Sequence, residues 1–267
     1  MLKDITLGQY FPVDTPIHRL DPRVKLVLTV VFIVALFLAK WIYSYALMLA
    51  YVVVVTGLAR IRPKALFKGL KPLIIIIFVT AVLNMLYTGG EPVLVIWKLR
   101  ITEQGLYAAA FMVLRIMLLV CGTFLLTYTT SPIMLTDGME ALMKPLGLIK
   151  VPVHELAMMM SIALRFIPTL IEETDKIVSA QKARGADFSS GNIVRRAKAL
   201  IPILVPLFVS AFRRADELAM AMECRCYHGG KGRTRLHMLS MHSRDAAAIF
   251  AGAAILAGTV VLRSYGL

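Results

Sequence analysis

The apolar stretch of residues 26–59 restricts the fold of this chain more than any other feature. Its 34 residues contain a single charge, Lys40. As one straight helix it would be about 51 Å long, whereas the hydrocarbon core of a bilayer is only ~30 Å thick. We therefore predict two membrane helices with a tight break near Lys40. Aromatic residues prefer the membrane interface, and three of them follow the break: Trp41, Tyr43 and Tyr45.

Three further apolar runs, residues 72–87, 105–129 and 246–262, are long enough to predict additional spans. The chain as a whole is 58% hydrophobic with a mean hydropathy of +0.74, which excludes an ordinary soluble domain. The predicted fold class is an all-α integral membrane protein with about five transmembrane helices and long amphipathic helices in the cytosol. The predicted domains are a four-span membrane domain (1–130), a cytosolic helical domain (131–244) and a C-terminal transmembrane helix (245–267).

The net charge of +14 is distributed unevenly along the chain. Five basic residues and no acidic ones follow the second span: Arg60, Arg62, Lys64, Lys68 and Lys71. Cytoplasmic loops of membrane proteins carry such an excess. We therefore expect a multi-pass protein of the cell membrane with a cytoplasmic N-terminus. Nucleic-acid binding is not indicated, because basic and aromatic residues are not interleaved along the chain.

Arg115 is the only ionisable residue well inside a predicted span. A charge in the membrane is a functional hypothesis by default, and the simpler interpretation is a structural arginine that faces the helix bundle. No series of Asp, Glu and His crosses the spans, as ion-coupled transporters and proton pumps usually require. The chain by itself is not predicted to be a complete pump.

Two amphipathic segments outside these spans share an Asp followed nine residues later by an Arg: Asp175 and Arg184, then Asp216 and Arg225. Gly185 is suited to a helix C-cap, so Arg184 would project from the last turn, where the helix dipole favours a cation. The two Asp residues are too far from these arginines to pair with them within one helix. We expect them to neutralise basic residues of the neighbouring helix.

Methionines are frequent on the apolar faces of these segments. They either fill a core or form an adaptable surface that accepts several partners, and both interpretations stay open. Candidates for such a surface, chosen by apolar position alone, are Met159, Met160, Leu164 and Phe208.

The sequence lacks the motifs of known catalytic and nucleotide sites. Cys224-Arg225-Cys226 with His228, His237 and His242 matches no dependable zinc spacing. No P-loop and no catalytic constellation is present. We therefore expect no catalytic residue, metal or cofactor in this chain.

The sequence resembles the transmembrane (T) component of energy-coupling-factor transporters, the EcfT family, over essentially its whole length. Residues 8–26 contain His18-Arg19-Leu20-Asp21-Pro22 and look like the family's opening motif. Ala183-Arg184-Gly185 matches the first of two Ala-Arg-Gly motifs. The second is Cys224-Arg225-Cys226 here, which keeps the Arg and replaces both neighbours, and this leaves the capping of the second tip in doubt.

The resemblance implies a non-catalytic subunit that assembles with two cytosolic ABC-type ATPases. The two motifs would dock on these ATPases through coupling helices. The apolar helix faces would hold an exchangeable, membrane-embedded S component that captures a vitamin or a metal ion. The residues implied at the ATPase contacts are Ala183, Arg184, Gly185, Cys224, Arg225 and Cys226. Substrate specificity would belong to another chain, so this sequence does not indicate which substrate is carried.

The residues alone leave two other functions open for this chain. A self-sufficient channel or membrane-bound enzyme would need polar groups converging inside the spans, and beyond Arg115 and Asn84 the spans offer few. An assembly scaffold would share the arginine tips, but substrate uptake would not depend on them.

Overall fold

The computed structural model describes residues 10–89, 92–96, 99–186, 188, 193–230 and 239–265. Nine α-helices run along the described chain: α1 Pro22–Leu38, α2 Ile42–Leu58, α3 Pro63–Leu70, α4 Ile74–Tyr87, α5 Glu103–Thr129, α6 Pro132–Met143, α7 Val153–Ala183, α8 Ile193–Cys224 and α9 Ser243–Ser264. Two short strands, β1 Pro92–Ile96 and β2 Leu99–Thr102, pair antiparallel, and 3₁₀ turns follow α3 and α6.

The all-α membrane class predicted from the sequence is confirmed. Four helical stretches of the described chain are long and apolar enough to cross a membrane: Pro63–Tyr87, Glu103–Thr129, Val153–Ala183 and Ser243–Ser264. α2 is a shorter apolar helix. The predicted break near Lys40 is present, because α1 ends at Leu38 and α2 begins at Ile42. α7, which we predicted to be cytosolic, meets the same criteria of length and composition.

The described chain divides into two compact units. We call Gly8–Met139 with Leu239–Leu267 the bundle unit, and Glu140–Met238 the arm unit. The boundary falls inside α6. The arm unit therefore contains α7 and α8, while the bundle unit contains the five other long helices and the strand pair.

Close helix packing forms the core of the bundle unit. α1 lies against α5 and α9, and α2 also contacts both. Leu36, Tyr45 and Met48 are fully buried in this core. Gly122 of α5 faces the ring of Phe32, and an added Cβ there would lie only 2.4 Å from a ring carbon. Small residues thus allow the close approach that drives association of membrane helices.

Buried Asp245 joins the starts of α1 and α9. One carboxylate oxygen accepts from the Asp21 amide at 2.8 Å, and the other accepts from the His242 amide at 2.8 Å. Asp21 is the N-cap of α1 and His242 that of α9. The carboxylate therefore satisfies backbone donors at two helix N-termini, where negative charge is favoured.

Buried Lys25 has the complementary role at a helix C-terminus. Its ammonium donates to the Thr129 carbonyl at 2.9 Å, at the last residue of α5. It also donates to the His18 carbonyl at 3.0 Å. The N-terminal segment is thereby held against the end of α5.

The structural interpretation of Arg115 is confirmed. Its guanidinium donates to the Tyr45 hydroxyl at 2.9 Å and to the Ala39 carbonyl at 3.1 Å. Ala39 is the C-cap of α1, so the cation satisfies a carbonyl where the chain turns into α2. The rings of Tyr45 and Phe37 lie about 6 Å from the same guanidinium, which is within cation–π range.

The segment between α4 and α5 contains the strand pair, with Ile96 opposite Leu99. Thr102 ends β2 and is the N-cap of α5. Its hydroxyl donates to the Thr88 carbonyl at 2.8 Å and accepts from the Gly105 amide at 3.0 Å. The junction between α4 and α5 is thus fixed by one buried hydroxyl.

Substitution of Gly105 tests this junction. A Cβ there would lie 2.8 Å from the Met85 carbonyl oxygen and 2.8 Å from the Thr102 hydroxyl. We expect Gly105→Ala to lower the free energy of unfolding by about 1–3 kcal/mol, because the clash is with backbone that cannot move aside. Chemical unfolding in detergent micelles, followed by circular dichroism, measures the change.

Gly57→Ala is the matched control. No atom lies within 4 Å of a Cβ at Gly57 in α2, so the helix should gain about 0.5–1 kcal/mol. Equal shifts of the same sign in both variants would contradict the assigned geometry at Gly105.

Candidate coupling interface

The first arginine tip is the C-terminus of α7. Arg184 is the C-cap, and Gly185 follows with φ +86°. The Gly185 amide donates to the Lys182 carbonyl at 3.0 Å, and the Ala186 amide to the Gln181 carbonyl at 3.0 Å. These two bonds define a Schellman motif. The predicted glycine C-cap is therefore present, and Arg184 is exposed beside it.

The second tip ends α8 with the same motif. The Cys226 amide donates to the Glu223 carbonyl at 2.8 Å, and the Tyr227 amide to the Met222 carbonyl at 3.0 Å. Cys226 takes the position of Gly185 and has φ 55°, which is unfavourable for a residue with a Cβ. Replacing glycine here therefore does not change the cap, although the sequence had left this in doubt. The apolar pair Met222 and Tyr227 is the signal that indicates such a motif.

α7 and α8 run antiparallel. The Gln181 side chain donates to the Pro202 carbonyl at 3.4 Å, and Arg214 donates to Glu173 at 3.0 Å. Residues later in α7 therefore contact residues earlier in α8. After α8 the chain returns to the start of α7, where a Cβ at Gly230 would lie 2.4 Å from the His154 ring.

This arrangement places the two arginines at opposite ends of the helix pair. Arg184 and Arg225 each lie eleven residues beyond the Glu173–Arg214 ion pair, in opposite directions. At 1.5 Å per residue their Cα atoms are separated by up to about 33 Å along the helices. The two tips are therefore separate sites on the helix pair rather than parts of one cluster.

The ion pair between the two helices involves a different acidic residue from the two that we predicted. We expected Asp175 and Asp216 to neutralise the opposing helix. Among the described residues, the ion pair between α7 and α8 is Glu173–Arg214. Sequence spacing identifies acidic residues on a helix face, but it does not give the register with a second helix.

A long apolar stripe on α8 lies between the tips. Its members recur every three or four residues and all are about half exposed or more: Ile201, Leu204, Val205, Phe208, Val209 and Phe212. The rings of Phe208 and Phe212 stack with centroids 6.4 Å apart. Exposed apolar patches of this kind mark interaction sites.

The four candidates for partner contact differ in exposure. Phe208 is 62% exposed, Met159 54% and Met160 46%, so these three present apolar surface on α8 and α7. Leu164 is half-buried and offers less surface. The exposed methionines favour the adaptable-surface interpretation over core filling.

Cys224 and Cys226 are exposed free thiols. No group of three or more His, Cys, Asp or Glu side chains that could hold a metal ion is present in the part of the chain that the structure describes. The tip thus presents a guanidinium, two thiols and the end of a helix. Its dominant chemistry is a cationic fork that matches a carboxylate or a set of carbonyls.

The different residues at the two caps allow a reciprocal test. We expect Cys226→Gly to stabilise the last turn of α8 by about 1 kcal/mol, because it removes the Cβ from a left-handed backbone conformation. Gly185→Cys should destabilise the last turn of α7 by a similar amount. Amide hydrogen exchange of the two helix ends measures both changes. Changes of the same sign would contradict the shared cap geometry.

Comparison with known proteins identifies the family of this chain. The family model CbiQ, described as cobalt transport protein, matches residues 14–236. A protein of Thermosediminibacter oceani called energy-coupling factor transporter transmembrane protein EcfT is 54% identical over 98% of this chain and 99% of its own length. Proteins of the same name from Clostridium kluyveri and Bacillus subtilis are 56% and 49% identical, over 92% and 93% of this chain and 92% and 94% of their own lengths. The chain therefore belongs to the EcfT family, the transmembrane components of energy-coupling factor transporters.

Proposed function

We propose that this chain is the coupling subunit of an ECF-type ABC importer. It links ATP hydrolysis in two cytosolic ABC-type ATPases to movement of a membrane-embedded S component. The imported substrate is a vitamin or another micronutrient. The chain itself is non-catalytic. The observation that carries the proposal is the pair of identically capped arginine tips at opposite ends of one antiparallel helix pair.

Each tip suits one ATPase subunit. The Schellman motif fixes the backbone at Arg184 and Arg225, so the direction of each Cα–Cβ bond is set before a partner binds. A guanidinium can donate two parallel hydrogen bonds to a carboxylate. Separation of the tips by tens of ångströms lets each tip contact its own ATPase without overlap.

The apolar stripe on α8 suits the S component. Its aromatic pair, Phe208 and Phe212, supplies large contact area at low entropic cost, as hot-spot residues do. Met159 and Met160 on α7 add flexible apolar surface that can adapt to different partners. A membrane-embedded protein presents apolar surface that complements both.

The proposed topology has the N-terminus in the cytoplasm and residues 131–244 on the cytosolic side of the spans. The basic end of α2 and the start of α3, with Arg60, Arg62 and Lys64, support this orientation. The apolar first half of α7 and its charged second half suit a helix that begins at the membrane and ends in water.

Charge reversal at the tips tests the ATPase contacts. We expect Arg184→Glu and Arg225→Glu each to reduce substrate uptake at least tenfold, because removing one partner of a charge pair costs several kcal/mol. Co-purification of the ATPases should fall in parallel. Uptake of labelled substrate into whole cells and mass spectrometry of the purified complex measure the two effects.

Lys182→Glu is the control for net charge, since Lys182 is an exposed cation in the last turn of α7 but not at the cap. Wild-type uptake in Arg184→Glu and Arg225→Glu would contradict the assignment and leave a scaffold as the better explanation.

Substitution in the apolar stripe tests the other contact. We expect Phe208→Ala to weaken S-component binding about thirtyfold while ATPase co-purification is unchanged, since loss of a central aromatic residue costs about 2 kcal/mol. The tip variants should show the opposite selectivity. Loss of both partners in Phe208→Ala, with normal thermal stability, would refute separate binding surfaces.

A further inference from the structure

A cavity of about 400 Å³ lies within the bundle unit between α1, α2, α5 and α9. Its walls are almost entirely apolar. Phe32 and Gly122 lie at one end of the lining, and Lys25, Thr129 and Arg244 lie at the other. Exposed Val54 and Leu58 of α2 border it, so one side faces the surface that lipid covers.

Two helices, α1 and α5, supply residues at both ends of the cavity and so define its depth. Lys25 precedes Phe32 by seven residues, and Gly122 precedes Thr129 by seven. Seven residues of helix span about 10 Å. The cavity therefore extends from a basic end through about two thirds of one leaflet, since half of the hydrocarbon core is ~15 Å thick.

The basic end carries positive charge that nearby carboxylates do not fully engage. Arg244 is exposed, and no carboxylate of the described residues lies within 4.0 Å of its guanidinium. The pKa of the nearby Asp14 carboxyl is lowered mainly by its hydrogen bond with Arg19, and to a lesser extent by the charge of Arg244. Both oxygens of Asp245 accept backbone amides. Arg244 is thus available for an anion from outside the chain.

We propose that this cavity binds an anionic phospholipid, with one acyl chain between the four helices and the phosphate-bearing headgroup at Arg244. Apolar walls exclude water and favour hydrocarbon. Basic pockets between membrane helices on the cytoplasmic side are suited to anionic headgroups. The choice of leaflet rests on the proposed cytoplasmic N-terminus, whereas binding itself does not. Lys25 lies at the same end of the cavity, with its ammonium held by the His18 and Thr129 carbonyls.

Native mass spectrometry of the full chain, with the subunits that co-purify, tests the site. Phosphatidylglycerol and phosphatidylcholine with the same acyl chains are titrated into the detergent. We expect phosphatidylglycerol to bind more tightly, and Arg244→Gln to weaken it about fivefold, the effect of one basic residue at a membrane surface. Arg263→Gln, at the other end of α9, is the control and should leave binding unchanged. Inorganic phosphate should not compete, because it lacks the acyl chain.

A second variant tests the cavity without changing charge. Ala251→Phe adds a ring to the cavity wall and should abolish binding of both lipids, whereas Ala253→Phe, exposed on α9 and outside the lining, should not. Equal affinity for the two lipids, displacement by inorganic phosphate, or unchanged binding in Ala251→Phe with normal thermal stability would each overturn the proposal.

Discussion

The bundle unit depends on one constraint: backbone groups freed at helix ends inside an apolar protein must find partners. Three charged side chains from distant parts of the chain meet this need. Lys25 and Arg115 donate to carbonyls at the ends of α5 and α1, and Asp245 accepts amides at the starts of α1 and α9. Each sign of charge is at the helix end that favours it. These charges therefore hold helix ends in place, and Arg115 is used in this way inside a membrane span.

The arm unit follows a different rule, because much of its apolar surface is left uncovered. The stripe around Phe208 and the methionines Met159 and Met160 of α7 are exposed, whereas Met48 and its neighbours in the bundle unit are buried. Between the two tips, α7 and α8 are joined by a polar pair, Glu173–Arg214. Such a pair at a partly exposed site contributes little stability. The arm unit therefore presents binding surface at the expense of its own core, which fits a subunit that works in a complex.

Local patterns in the sequence predicted the local structure well. Apolar runs gave α2, α4, α5, α9 and the break near Lys40, and the Arg–Gly pair gave the cap of α7. They did not indicate that α7 is long and apolar enough to cross a membrane. Pairings between distant residues were not predictable, because periodicity carries no information on register. The antiparallel arrangement and the role of Glu173 were therefore missed. The cap at Cys226 was left in doubt because its φ contradicts residue preference. The strand pair, β1 and β2, was not among the predicted elements.

The central claim is that this chain works only as a subunit between ATPases and a membrane partner. The most direct measurement is the composition and stoichiometry of the complex purified through a tag on the full chain, in mild detergent, from its native background. We predict two ABC-type ATPase subunits and one small hydrophobic protein for each copy of this chain. Recovery of the chain alone, under conditions in which the ATPases are expressed, would contradict the account.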